Sequence, residues 1–205
     1  MISILDYGSG NIRAFANVYE RLNLPYRIVK KPEELNDASK ILLPGVGAFD
    51  HTMEQLENSG VRKKLDELAA VGKVSILGVC VGMQILARSS EEGRLPGLGW
   101  IDGVVKKLDT SALTAATRLP HMGWNDVQAL GNDALFRGLD SAARFYFLHS
   151  YYFECDREDE VVATTEYGRK FPCAVRRGNI YGVQFHPEKS HRYGVQLLKN
   201  FAQLQ

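Results

Sequence analysis

Short apolar runs alternate with longer amphipathic stretches through the first half of the chain, and that rhythm predicts strands joined by helices. Ile2–Leu5 reads as a strand that stops at Asp6-Tyr7-Gly8-Ser9-Gly10, where Asn11 is placed to cap a helix running to about residue 22. Tyr26–Val29 and residues 40–43 read as the next strands, with Pro32-Glu33-Glu34-Leu35 a short helical link. Leu43-Pro44-Gly45-Val46-Gly47 ends the third strand in a Gly-rich turn, and residues 50–70 read as helical with a break near Gly60. Residues 74–79 form a continuous apolar run, the pattern of a strand buried on both faces. Strands alternating with helices predict an α/β fold with a parallel sheet covered on both sides.

The second half has a different rhythm. Short β-type segments lie at residues 104–108, 145–148, 161–165, 174–177 and 180–184, and Arg177-Gly178-Asn179 between the last two predicts a hairpin. A helix from about residue 191 to 204 closes the chain. Neither a repeat nor a low-complexity linker interrupts it, so residues 1–205 read as one domain.

Composition narrows the function classes. With 45% hydrophobic and 24% charged residues the chain has ordinary globular content, and its formal net charge of +1 gives no pull toward nucleic acid. No apolar run approaches the roughly 20 residues that span a bilayer, and the N-terminus lacks the basic and apolar regions of a signal peptide. Three widely spaced cysteines, Cys80, Cys155 and Cys173, without a CxxC, predict neither a disulfide framework nor structural zinc, and point to a cytoplasmic protein. The His, Cys, Asp and Glu residues show no metal-ligand spacing. Gly8-Ser9-Gly10 lacks the third glycine of a phosphate loop, so no cofactor is expected.

The most informative segment is Gly78-Val79-Cys80-Val81-Gly82-Met83-Gln84, which follows the buried apolar run. It has the form of a nucleophile elbow, G-x-C-x-G, between a strand and a helix start. Such a turn strains the Cys80 backbone and brings strand and helix so close that Gly78 and Gly82 can carry no side chain. A helix N-terminus and a nearby imidazolium would favour the thiolate, and the Val81 N–H would face an oxyanion formed on a carbonyl attached to the sulfur. Cys155 and Cys173 lack this context and read as structural.

A thiol nucleophile needs a base, and five histidines compete: His51, His121, His149, His186 and His191. His186 is distinguished by Gly182-Val183-Gln184-Phe185-His186-Pro187-Glu188, an apolar strand followed by His, a rigid Pro and a carboxylate. It can take the Cys80 proton and pass it to a leaving amine, with Glu188 orienting the ring.

The elbow and the late Gln184-Phe185-His186-Pro187-Glu188 together resemble the triad (class I) glutamine amidotransferases. Pro44-Gly45-Val46-Gly47, Pro120-His121-Met122-Gly123-Trp124-Asn125, Phe185 to Ser190 and the opening Asp6 to Ile12 are similar to the glutaminase subunits of imidazole glycerol phosphate synthases. The resemblance spans the whole chain. It implies a class I amidotransferase fold, with a mostly parallel central sheet, flanking helices and extra antiparallel strands in the C-terminal half. It also implies hydrolysis of L-glutamine to glutamate through a cysteine thioester. The ammonia would pass to a (β/α)8-barrel synthase partner in a heterodimer that makes imidazole glycerol phosphate and AICAR in histidine biosynthesis.

Under the resemblance, Cys80 is the nucleophile, His186 the general acid and base, and Glu188 the orienting carboxylate. Gly45, Val46 and Gly47 form the oxyanion turn with Val81, and two glycines there permit a peptide rotation. Gln84, Glu92 (in Ser90-Glu91-Glu92-Gly93) and His149-Ser150-Tyr151 would bind the substrate. Trp124, in an expected Gly-Trp-Asn turn, would meet the partner, as would Asn11 and Lys189 near the interface gate.

Three other readings stand beside this one. Residues 89–101 are also similar to a branch that supplies ammonia for sugar amidation in surface-polysaccharide synthesis, and the catalytic motifs do not separate the two. Cysteine-elbow hydrolases on flavodoxin-like sheets lack the late His-Pro-Glu. A degenerate protein that only scaffolds its partner would have no need of Cys80, His186 and Glu188 together.

Overall fold

A computed structural model describes residues 1–109, 111 and 118–204. Five parallel strands form its centre: β1 (Ile2–Leu5), β2 (Tyr26–Val29), β3 (Lys40–Gly45), β4 (Ser75–Cys80) and β13 (Ile180–Val183), in the order β2-β1-β3-β4-β13. Three antiparallel strands extend the sheet: β12 (Arg169–Arg177), β11 (Val161–Tyr167) and β8 (Gln128–Ala129). Every residue of β4 is buried, so the sheet is covered on both faces there and the continuous apolar run is explained.

The connections follow the residues that make them. Asn11 caps α1 (Ile12–Arg21), its side chain accepting from the Ala14 N–H. The expected break near Gly60 is present: α2 (Phe49–Asn58) and α3 (Arg62–Val71) are divided where Gly60 takes a φ of 72°. Gly178-Asn179 forms the hairpin loop from β12 into β13, with Arg177 paired to Ile180. The chain ends in α5 (His191–Gln203), which packs on α1.

Two elements depart from expectation. The helix after Cys80, α4 (Val81–Gln84), is a single turn. The Ile85, Leu86 and Ala87 carbonyls accept from the N–H groups of Leu98, Trp100 and Gly99, so they are spent on the next loop rather than on a longer helix. The expected Gly-Trp-Asn turn is instead a strand, β7 (His121–Asp126), paired antiparallel with β9 (Arg144–His149). Its alternation is inverted, since buried His121 faces inward while Met122 and Trp124 are exposed. A further sheet of three strands is formed by β5 (Ser89–Ser90), β6 (Gly103–Lys107) and β10 (Tyr151–Cys155).

Candidate active site

Sheet register assembles the site. In the parallel pairs, Gly45 of β3 lies beside Cys80 of β4, and Val183 of β13 beside Val79. The Gly-rich turn, the cysteine and the segment through His186 therefore meet at the carboxyl ends of three adjacent strands, where open α/β sheets hold their ligands. They border a cavity of about 320 Å³ whose lining includes Val46, Gly47, Cys80, Gln84, Glu92 and His186.

Cys80 has a φ of 56° and a ψ of −114°, a region that residues with a side chain rarely occupy. The close packing that holds it there is visible in the glycines. A Cβ at Gly78 would collide with the Gly82 carbonyl, and one at Gly82 with the Leu43 carbonyl oxygen. The elbow thus turns the sulfur toward the cavity. Cys155 and Cys173 differ, because burial pushes both of their thiols up, away from thiolate.

His186 and Glu188 lie in one tight segment. The Glu188 Oε1 is 2.8 Å from His186 Nδ1, and both side chains are buried. The backbone around them is pinned: the His186 N–H donates to the Tyr146 carbonyl, and the Ser190 hydroxyl donates to the His186 carbonyl at 2.6 Å. Burial opposes charging this imidazole. The neighbouring Cys80 sulfur and Glu188 carboxylate outweigh that penalty and hold His186 well above the ordinary histidine range.

The turn expected to form the oxyanion hole carries a contact that the sequence did not announce. The Val46 N–H donates to Ser9 Oγ at 3.0 Å, and the Ser9 hydroxyl lies 3.2 Å from the Val46 carbonyl. The N–H expected to face an oxyanion is engaged by a serine from the loop after β1. The Tyr7 hydroxyl donates to the Pro44 carbonyl in the same turn. The sequence signal for Ser9 is weak, since a serine between glycines reads as an ordinary turn residue.

The expected substrate residues also gather here, with their hydrogen-bonding capacity partly spent. Gln84 is buried, and its Nε2 donates to the Tyr151 carbonyl and to Gln184 Oε1, each at 3.0 Å. Its remaining capacity is its carbonyl oxygen, an acceptor. The Glu92 Oε2 accepts from the Phe49 N–H at the start of α2, leaving Oε1 free to accept. His149 borders the cavity, but its Nδ1 is bonded to the Tyr151 carbonyl and its Nε2 to His121. Ser150 and Tyr151 line the same wall.

The expected interface residues are all exposed, and Lys189 borders the cavity. Trp124 is 39% exposed and stacks on His191 with ring centroids 5.1 Å apart. The Lys189 ammonium lies over the Tyr146 ring. Asn11 is exposed at the start of α1. Among the described residues, no group of three or more His, Cys, Asp and Glu is arranged to hold a metal ion, and no helix is long and apolar enough to cross a membrane.

Comparison with known proteins agrees with this geometry. The family model for class-I glutamine amidotransferases matches residues 3–204. The chain is 54% identical over 204 residues to the imidazole glycerol phosphate synthase subunit HisH of Bdellovibrio bacteriovorus, covering all of both chains. It is 53% identical to the protein of the same name in Leptospira interrogans, again over both full chains. Among solved structures, one described as a glutamine amidotransferase superposes with a TM-score of 0.70 at 23% identity, covering 97% of this chain and 98% of that one. That likeness speaks for the fold alone.

Proposed function

The chain belongs to the class-I glutamine amidotransferase family, and on that premise we propose that it is the glutamine-hydrolysing subunit of an imidazole glycerol phosphate synthase in histidine biosynthesis. The observation that carries the reading is the convergence at one cavity of Cys80 with His186, whose imidazole is hydrogen-bonded to Glu188. The sugar-amidation alternative is not favoured, because full-length relatives at 53% and 54% identity carry the synthase name.

In this reading the Cys80 thiolate attacks the side-chain amide carbon of glutamine, and the Val81 N–H faces the oxygen that becomes negative. The C–N bond breaks as His186 gives its proton to the leaving nitrogen, which departs as ammonia and leaves a thioester. His186 then takes a proton from water, whose oxygen attacks the thioester carbon, and glutamate leaves as the thiolate re-forms. Glu188 holds the imidazole in place through both steps. The Gln84 carbonyl oxygen and Glu92 Oε1 are both acceptors, which suits an α-ammonium group. Ser150 and Tyr151 complete the wall around the substrate's amino-acid end.

We take residues 1–205 as one amidotransferase domain and the partner as a (β/α)8-barrel synthase. Trp124, Lys189 and Asn11 would lie under that partner, which would receive ammonia directly. Exposed Met122 and Trp124 on one face of β7 support such a covered surface. Gly45, Val46 and Gly47 would complete the oxyanion hole once the Val46 peptide leaves Ser9, so the bond to Ser9 is the resting state of a two-state turn.

The test is the Cys80→Ser variant in complex with the synthase. Glutamine-dependent turnover should fall to background while turnover on added ammonium persists, because the partner consumes only ammonia. Loss of both activities in a correctly assembled complex would contradict the reading.

A further inference from the structure

Gln184 has no task in the reaction just described, yet it is fully buried in the apolar run that ends β13 and it reaches the nucleophile. A buried carboxamide must be bonded, and its neighbours settle which way it points. The Tyr151 carbonyl can only accept, so the Gln84 atom 3.0 Å from it is Nε2. That same nitrogen lies 3.0 Å from the Gln184 carboxamide, so the facing atom there is Oε1. Gln184 is thereby turned with its Nε2 toward the Cys80 sulfur, at 3.9 Å.

The anchor of this chain is itself fixed. The Tyr151 carbonyl also accepts from His149 Nδ1 at 2.8 Å, which leaves His149 Nε2 to accept from His121 Nδ1 at 2.9 Å. His121 Nε2 in turn accepts from Asn125 Nδ2 at 3.2 Å. Each donor direction follows from the last, and none admits reversal without two donors or two acceptors facing each other.

We propose that Gln184 is a catalytic residue of this centre, whose carboxamide N–H donates to the Cys80 sulfur and stabilises the thiolate, with Gln84 as the positioning residue that fixes its orientation. The inference rests on Cys80 being the nucleophile. A spacing of 3.9 Å is long for a donor facing a neutral thiol; a full charge on sulfur strengthens the bond and draws the donor in. Among the described residues, geometry assigns the same task to no other side-chain N–H except that of His186, which must leave the sulfur to protonate the departing nitrogen. Gln184 stays.

The experiment is iodoacetamide labelling of Cys80 in the intact chain across pH, followed by peptide mass mapping, for wild type, Gln184→Met and Gln184→Glu. Gln184→Met removes the donor at similar size, and the pH at half-maximal labelling should rise by about one unit. Gln184→Glu has the same shape but turns a carboxylate toward the sulfur, so its midpoint should rise further. A purely structural glutamine would lower the melting temperature and leave the Gln184→Met midpoint at the wild-type value, and that result overturns the proposal. If Gln184→Met does not fold, Gln184→Leu, which also removes the donor, is read by the same midpoint, and failure of both to fold counts against the proposal. Labelling is read without glutamine, so a wild-type chain that labels as expected but hydrolyses no glutamine in complex with the synthase would refute the proposed function and leave this result standing.

Discussion

His121 and His149 lie behind the cavity with their rings 2.9 Å apart at the nitrogens, and burial is the main force on both. It pushes His121 down to about 4 and His149 down to about 3, the latter helped by the neighbouring His121 charge. For such groups the unfolded chain takes up protons first, so the stability they contribute is present above about pH 6.5 and is lost as pH falls toward 4. His186 has the opposite sign: its contribution is present below about 6.5 and is lost as pH rises toward its higher folded value. Acidification to pH 5 should therefore cost about 2 kcal/mol for each of His121 and His149, read by urea unfolding at pH 7 and pH 5. A His121→Gln variant should lose part of that dependence, and equal stability of the wild type at both pH values would contradict the neutral pair.

At the scale of elements, the oxyanion turn after β3 is held by the loop after β1 because the two strands are neighbours in the sheet. Ser9→Ala removes one partner of the Val46 peptide. Its loss should shift the turn by about 1 kcal/mol, raising the chain's own glutaminase rate about fivefold while the rate in the complex stays near wild type. An unchanged or lower rate for the isolated variant would show that Ser9 does not hold the resting turn. Sequence alone made much of this region legible. β4 is buried on both faces and so leaves an unbroken apolar run, and the crowded Gly78 and Gly82 mark the elbow. Strand β7 was not legible, because it turns His121 inward and Met122 and Trp124 outward, the reverse of the pattern that signals a strand on a core. Ser9 and Gln184 were hidden for another reason: each has a task only through a partner about 37 or 100 residues away, set by sheet register. The one local hint for Gln184 was a polar residue inside an apolar run, which must find a hydrogen-bond partner if buried.

Across the whole molecule, the exposed aromatic rim and the cavity share one end of the sheet, so a docked partner would cover the site and receive ammonia without passage through bulk water. Trp124 stacks on His191 and stands beside Tyr146, whose ring lies under Lys189. Large aromatics at such rims carry a disproportionate share of binding energy. Trp124→Ala should weaken complex formation by about 2 kcal/mol, some thirtyfold in Kd, with little effect on hydrolysis when the chain is free. Calorimetric titration against the synthase measures it, and unchanged affinity would move the interface elsewhere.

Glutamine hydrolysis at Cys80, on this reading, reaches its full rate only when the partner frees the Val46 peptide. Titrating purified synthase into the wild-type chain while following glutamate release examines both halves of that statement at once. One misdirected oxyanion donor is worth roughly 3–4 kcal/mol, so the rate should climb about 10²–10³-fold and saturate at one partner per chain. A chain that releases glutamate at its full rate alone, with no response to the synthase, would contradict the two-state turn and the role given to the partner.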